Sequence, residues 1–510
     1  MCGILFLEQL QGTEISREGF ARSLDRQCWR GPDAQHVQSV NGGRFLLGHN
    51  RLSIIDPAPR SDQPMVSRDG RFLIVYNGET YNHMEIRSTL GLEFATTSDT
   101  ETILEGYALL GDRIFELMDG MFALVILDRA NGTWVAARDP FGIKPLFIHR
   151  GSRLVILGSE PAVVAGMAGS SPCPEAMAEW KIIRRPIPGH TFFLGVDEVA
   201  PGLVVHSSGE SHRHWNFAQS GEPFSQERFE ELLSDSIRKH ELSNVENVSL
   251  LSAGLDSAVI TAVSSVTRSY SIGMPHNHEF EGAADTAAVL GRTLQKVTIT
   301  PQELREAWVK LTRMRGEPLS LPNEGLIYSV CKEMAPMEKV VLTGEGADEL
   351  LFGYDGIFRW SLTEPWRGLE DFLVRYGYAE KPVPTPRMIE YFDALRAGKN
   401  NVEFLEDLFY QLHLPGLLRR MDFSSMAASK EARVPFVSKA LIQYMYRRPH
   451  QIKIVGEESK LPLRIFARHL GLHGALARKK IGFSAQIDEA NTRYQEYDVF
   501  QNIVLGALSW

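Results

Sequence analysis

The hydrophobic patterning of this 510-residue chain changes once, and that change constrains the fold more than any single residue does. Up to about residue 205, apolar residues come in short runs broken by turns: GRFLLGHNRLSIID, GRFLIVYNGETYNH, MFALVILDRANGTWVAARDPFGIKPLF, RLVILGSE and HTFFLGV. The RDG and RANGTW turns are hairpin signals, and one helix is expected around TETILEGYALLG. This half reads as strand-rich. The polar segment HRHWNFAQSGEPFS then leads into an amphipathic helix, QERFEELLSDSIRKHEL. Beyond it the short strands VSLL, SYSIGM and KVVLTG alternate with helical stretches, the βαβ pattern of a parallel sheet. From about residue 360 the chain reads as mostly helical. The pattern predicts one domain over 2–205, a linker over 206–225 and a second domain over 226–510.

Such a length exceeds what one core holds, and 44% hydrophobic with 23% charged residues is a soluble globular composition. The net charge of −9, from 54 basic and 63 acidic residues without a dense Lys/Arg run, argues against a nucleic-acid partner. No apolar stretch approaches the length of a bilayer span, and no basic region followed by an apolar core opens the chain. No membrane partner and a cytoplasmic location are therefore expected. Cys2, Cys28, Cys173 and Cys331 are scattered, with no CxxC pair, so neither a zinc site nor a disulfide framework is suggested.

If Met1 is removed, Cys2 carries both a thiol and a free α-amine. The amine's reference pKa of about 7.7–8.0 leaves a useful fraction neutral to take the thiol proton. By itself Cys2 also reads as a small apolar residue opening a buried strand. In YNGETYN, the Asn77 amide and the Gly78 backbone N–H offer the two donors a tetrahedral oxyanion needs, and glycine at 78 permits close approach of a substrate. Arg51 in HNRLSIID reads alternatively as a buried structural cation, and Asp99 in SDTETIL as a helix N-cap.

In VSLLSAGLDSAVITAV a strand ends in Ser252 and a helix starts near Leu255, so the loop between presents backbone N–H groups to one point, which suits a pyrophosphate. The GxxxxGK[ST] loop is absent, which makes γ-phosphate transfer the poorer reading. A serine/glycine turn that merely caps the helix is the plainer alternative. A second strand runs into an acidic glycine-rich loop in VVLTGEGADELLFGY.

Together, Cys2, HNRLSIID, YNGETYN, SDTETIL and RDPFGIKPLF resemble the class II glutamine amidotransferase domain, over roughly residues 2–190. The segment 252–257 resembles the SGGxDS loop of ATP pyrophosphatases, and MAASKEARVPF and EESKLPLRIFA resemble segments of the asparagine synthetase C-terminal domain. Over nearly the full chain this order resembles the glutamine-hydrolysing asparagine synthetase family. The resemblance implies an N-terminal-nucleophile (Ntn) hydrolase αββα sandwich, followed by a parallel-sheet α/β ATP pyrophosphatase domain with a helical C-terminal part.

It further implies that Cys2 hydrolyses glutamine, with Asn77 and Gly78 as the oxyanion hole. Glutamine would be held by Arg51, Ile54, Ile55, Glu79 and Asp99, Arg51 taking its carboxylate and Asp99 with Glu79 its ammonium. ATP would be held by Leu250, Ser252, Ala253, Gly254, Asp256, Ser257, Ile272, Gly344 and Glu345, with Mg²⁺ on Asp256 and Asp348. Lys460 would meet charge at the α-phosphate; the plainer reading is a surface lysine. A carboxylate acceptor would form an acyl-adenylate, ammonia would reach it through a hydrophobic passage, and an amide and AMP would leave. A homodimer fits the same resemblance.

Four residues depart from the family pattern. Trp29 stands in CWRGPD where His is common, and Ala253 replaces a glycine, at a cost of about 1–2 kcal/mol if the backbone there is left-handed. Pro322 in GEPLSLPNEGLIY falls roughly where an arginine suited to an amino-acid carboxylate would be, and Ser438 replaces an aspartate. The last two point to an acceptor other than aspartate, in a secondary metabolite or surface polysaccharide. A β-lactam synthetase has no use for Cys2 with NGE, sugar-phosphate amidotransferases lack SAGLDS, and a non-catalytic scaffold would be expected to lose several of these residues.

Overall fold

A computed structural model describes residues 2–12, 15–276, 278–478 and 493–508. The chain divides into two compact units: residues up to Cys173 with 188–216 and 242–245, and residues 174–187, 217–241 and 246 onward. The chain passes from the first unit to the second after Asn216, inside the polar segment 206–225, and returns to the first only for 242–245.

Twelve strands build the first unit: β1 (Cys2–Gln9), β2 (Ala34–Val40), β3 (Phe45–Arg51), β4 (Met65–Val66), β5 (Phe72–Thr80), β6 (Gly120–Asp128), β7 (Thr133–Arg138), β8 (Phe147–Arg150), β9 (Leu154–Gly158), β10 (Asp197–Glu198), β11 (Leu203–His206) and β12 (Ser211–Arg213). They form two six-stranded sheets, ordered β10-β8-β9-β1-β3-β2 and β12-β11-β7-β6-β5-β4. Their strand pairs are antiparallel. Strand alternation sorts the side chains. Ile4, Phe6, Phe45 and Leu47 share one buried cluster with Leu73, Val75, Ala123 and Val125, which joins the sheets face to face. On the other face of β5, Phe72, Ile74 and Tyr76 pack with Ile103 and Leu104 of the helix Asp99–Leu110. The first sheet is covered likewise: a Cβ at Gly48 of β3 would come within 2.8 Å of Phe20, on the helix Arg17–Asp25. The result is the expected αββα sandwich.

A parallel five-stranded sheet lies at the centre of the second unit, with β13 (Glu246–Leu250), β14 (Arg268–Gly273), β15 (Thr293–Thr298), β16 (Glu338–Leu342) and β17 (Glu431–Arg433) in the order β15-β14-β13-β16-β17. The three residues of β17 lie in the stretch read as helical and are too few to show a period of two. An aromatic-rich cluster holding Phe352, Phe358, Trp360, Phe372, Phe404 and Phe409 forms the core of the helical part. The helix Pro174–Ile183 also belongs to this unit, where Trp180 Nε1 donates to the Leu319 carbonyl at 2.8 Å and Glu179 pairs with Arg387 at 2.8 Å. Among the described residues no helix is long and apolar enough to cross a membrane.

Candidate active sites

At one end of the first unit's inter-sheet core, three strands turn from apolar to polar on the same face. Along β5 that face runs Leu73, Val75, Asn77, Glu79; along β3, Phe45, Leu47, His49, Arg51; along β1, Phe6, Ile4, Cys2. Cys2 pairs with Arg51 in register, and its backbone N–H donates to Asn77 Oδ1 at 2.9 Å. This contact ties the start of one sheet to the other. Asn77 Nδ2 is buried with no hydrogen-bond partner. An unmet buried donor costs about 1–3 kcal/mol.

The Cys2 carbonyl accepts from Arg30 Nε at 3.0 Å, and buried Arg30 pairs with Glu160 at 2.7 Å. Ile4 N–H donates to Ser159 Oγ at 3.0 Å. These positioning residues escaped the sequence reading, which weighed CWRGPD only for Trp29. That ring lies 5.5 Å from the Arg30 guanidinium, so the departure sits against the group that holds Cys2. Gly31 is where it is because a Cβ would stand 2.4 Å from the Asn50 carbonyl oxygen.

For Gly78 the structure gives a different reason from the expected substrate approach. A Cβ there would lie 2.2 Å from the Met121 carbonyl oxygen on β6, so glycine is required by the neighbouring strand. Arg51 is heavily engaged: Nη1 donates to Asp62 at 2.6 Å and Ala58 O at 3.0 Å, Nη2 to Asp56 O at 2.6 Å. It thereby folds the loop that carries Ile54 and Ile55. Burial pushes the Asp56 carboxylate up, but bonds from Thr97 and Arg60 outweigh it and hold it at about 2. Asp99 is not the N-cap: Ser98 Oγ accepts from Thr100 N–H at 3.2 Å, one residue earlier. Asp99 Oδ2 instead accepts from Thr80 N–H and Tyr76 OH, both at 2.9 Å, and Glu79 is buried beside them on β5. His49 shares a 3.1 Å hydrogen bond between Nε2 and the Tyr76 carbonyl, and burial lowers its pKa to about 3. In RDPFGIKP, Asp139 accepts from the N–H groups of Phe141, Ile143 and Lys144, so this stretch folds upon itself.

In the second unit β13 runs through a short loop into the helix Leu255–Val263, with Gly254 as N-cap. Ser252 and Ser257 close the loop through hydroxyls 3.0 Å apart, and Gly254 N–H donates to Ser252 Oγ at 3.1 Å. The Ala253 N–H donates to the Glu279 carboxylate at 3.1 Å, an anionic oxygen of the kind a phosphate would offer. Ala253 lies outside the left-handed region, so the expected strain is absent. Its methyl sits where a Cβ on Gly282 would come within 2.5 Å, and glycine there makes the room.

Leu250, Ser252, Asp256, Ser257, Ile272, Gly344, Glu345 and Asp348 all line one cavity of about 420 Å³. Lys460 is buried, not a surface lysine; its Nζ lies 2.7 Å from Asp256 and 2.5 Å from Asp348. Two carboxylates thus converge on one cationic point, a hard-oxygen set that fits Mg²⁺. Gly353 allows this convergence, since a Cβ would stand 2.0 Å from Asp348 Oδ1 and 2.2 Å from Lys460 Cε. The same cavity is lined by Leu321, Asn323, Leu417, Met421 and Arg420, whose guanidinium pairs with Glu345 at 2.7 Å and donates to Asn323 Oδ1 at 3.2 Å. His413, which also lines the cavity, is held at about 3 by burial and is neutral. Ser438 caps the helix Lys439–Met445 by accepting from Leu441 N–H at 3.3 Å, the work an aspartate would also do. It therefore carries no information about the acceptor.

Two family models match the chain: a glutamine amidotransferase domain over residues 1–217 and asparagine synthase over residues 228–505. Asparagine synthetase (glutamine-hydrolyzing) 1 of Bacillus subtilis is 28% identical, covering 96% of this chain and 87% of that protein. Asparagine synthetase (glutamine-hydrolyzing) 3 of the same organism is 25% identical, covering 94% and 86%.

Proposed function

The chain belongs to the asparagine synthase family, and from that premise we propose that it is a glutamine-dependent ligase that forms an amide and converts ATP to AMP. Cys2, freed of Met1, attacks the glutamine side-chain amide while its own α-amine takes the thiol proton. Asn77 Nδ2, together with the Gly78 N–H, meets the resulting oxyanion. The unpartnered Nδ2 beside the Cys2 nitrogen is the observation that carries this reading. Arg51, with its loop Ile54 and Ile55, and the acids Glu79 and Asp99 hold the two charged ends of glutamine. A glutamine carboxylate must compete with Asp62 for Arg51.

In the second unit the loop 252–257 and the helix it opens hold the triphosphate, and Leu250, Ile272 and Gly344 hold the adenosine. Asp256 and Asp348 would hold Mg²⁺, which would supply neutralisation of the leaving pyrophosphate. Lys460 orients both carboxylates and meets negative charge at the α-phosphate. The acceptor carboxylate binds against Leu321, Asn323 and Arg420, attacks the α-phosphate to give an acyl-adenylate, and receives ammonia.

A second reading concerns the acceptor. Where family members suited to aspartate place an arginine, this chain has Pro322, which offers a carbonyl that accepts from Trp308 Nε1 at 2.6 Å. The nearby cation, Arg420, is already paired with Glu345. An acceptor with one carboxylate and an apolar body suits this wall better than aspartate does. Glutamine-dependent AMP release, measured across a panel of carboxylic acids, tests it: weak turnover with aspartate and efficient turnover with a monocarboxylic acid are expected. Efficient asparagine formation would overturn it.

A further inference from the structure

Outside both sites, Asp112, His206 and His212 bring three ligand atoms within 4.8 Å of one another. Asp112 lies between the helices Asp99–Leu110 and Arg113–Leu117, His206 ends β11, and His212 is in the edge strand β12. Val204 pairs with His212, so His212 shares a face with His206, two residues along, the diagonal relation in which long side chains meet. Their rings stack with centroids 5.8 Å apart. His206 Nε2 lies 2.9 Å and His212 Nε2 3.7 Å from the same carboxylate oxygen, Asp112 Oδ2. The backbone of His206 is pinned on both sides, its N–H to Glu210 O and its carbonyl to Arg150 Nη2, each at 2.9 Å.

A tetrahedral zinc ion with ligands at about 2.0–2.2 Å sets them roughly 3.4 Å apart. The observed 2.9 and 3.7 Å to Asp112 bracket that spacing, and the two imidazoles each offer a ligand nitrogen within 4.8 Å of the other, so rotation of the side chains brings the set to an ion. We propose that Asp112, His206 and His212 form a binding site for a borderline divalent metal such as Zn²⁺ or Co²⁺, with water in the remaining position. Two imidazoles and one carboxylate select such ions over Mg²⁺, which prefers oxygen throughout. All three side chains are partly exposed, which gives the ion an entry path. β11 stands three strands from β5, about 14 Å from Asn77, so the site serves structure rather than glutamine hydrolysis. The ion would clamp the edge strand β12, which neighbours β11 in its sheet, onto the turn before the helix Arg113–Leu117.

The test is Co²⁺ titration of the chelator-treated full chain in a Cys28→Ser background, since Cys28 is an exposed thiol. One equivalent should bind with tetrahedral visible bands, resist excess Mg²⁺ and be displaced by Zn²⁺. Outer-shell partners alone are worth roughly 10- to 100-fold in metal affinity, so His206→Ala or His212→Ala should cost about 100-fold or more. Zn²⁺ should raise the melting temperature of the parent and not of the double variant, with glutamine hydrolysis equal in both. Any contribution of the Cys2 amine and thiol is common to parent and variant. No saturable binding in the micromolar range, or equal binding by the double variant, would overturn the proposal.

Discussion

At the scale of single residues, the proposed function gives the two side-chain atoms of Asn77 two jobs: Oδ1 accepts from the Cys2 nitrogen, and the unpartnered Nδ2 would meet the oxyanion. Asn77→Asp separates them, because aspartate still accepts from that nitrogen but donates nothing. Removing one oxyanion donor typically costs about 100- to 1,000-fold in kcat, and that loss is expected with little change in melting temperature. A variant retaining more than about a tenth of the glutaminase rate would remove Asn77 from the oxyanion hole. Cys2 and NGE stood out in the sequence because the groups proposed to act there, a thiol with its own amine and an amide beside a glycine N–H, each lie within one short stretch. Arg30, Glu160 and Gly353 were not, because their roles exist only through partners brought together by folding: Glu160 stands 130 residues from Arg30, and Gly353 is defined by Lys460. Ala253 shows the reverse: the backbone strain expected of it is absent, and the room for its methyl comes from Gly282, on the helix Phe280–Val289.

Strands are the elements that explain the first site. β3 and β5 each carry two inward apolar residues and then two inward polar ones, so one register delivers both core and chemistry. The pattern was visible in FLLGHNR and LIVYNGE, but His49 was passed over because nothing local marks it as buried. Its consequence is a pH dependence of stability. The folded chain holds His49 at about 3 against 6.5 when unfolded, so between those values the unfolded chain binds a proton that the folded chain does not. Stability is therefore lost as pH falls from about 6.5 toward 3, at up to about 1.4 kcal/mol per pH unit for this residue. His240, also held at about 3 by burial, adds a loss of the same sign. Urea unfolding of the parent and of His49→Gln between pH 6 and 4 checks this: the variant should show a shallower slope by up to one proton, and identical slopes would contradict it. Elsewhere short elements escape a reading by pattern, as with the three-residue β17, and the alternative of Asp99 as helix cap gives way to Ser98, one residue earlier.

For the whole molecule, the change in patterning around residues 206–225 foretold two different architectures, an antiparallel sandwich and a parallel sheet. The assignment of helix Pro174–Ile183 to the second unit was beyond the sequence reading, because its Trp180 and Glu179 contacts are to residues far ahead in the chain. Two units with separate chemistries imply separable activities, and the central claim is that glutamine cleavage at Cys2 supplies nitrogen to an ATP-to-AMP ligation. The most direct test follows nucleotide products by phosphorus NMR in the parent and in Cys2→Ala, with the best acceptor from the carboxylate panel and either glutamine or ammonium as nitrogen source. The account predicts equal amounts of AMP, pyrophosphate and amide from the parent with both sources, and from Cys2→Ala with ammonium alone. Formation of ADP and phosphate, or undiminished glutamine-driven synthesis by Cys2→Ala, would contradict it.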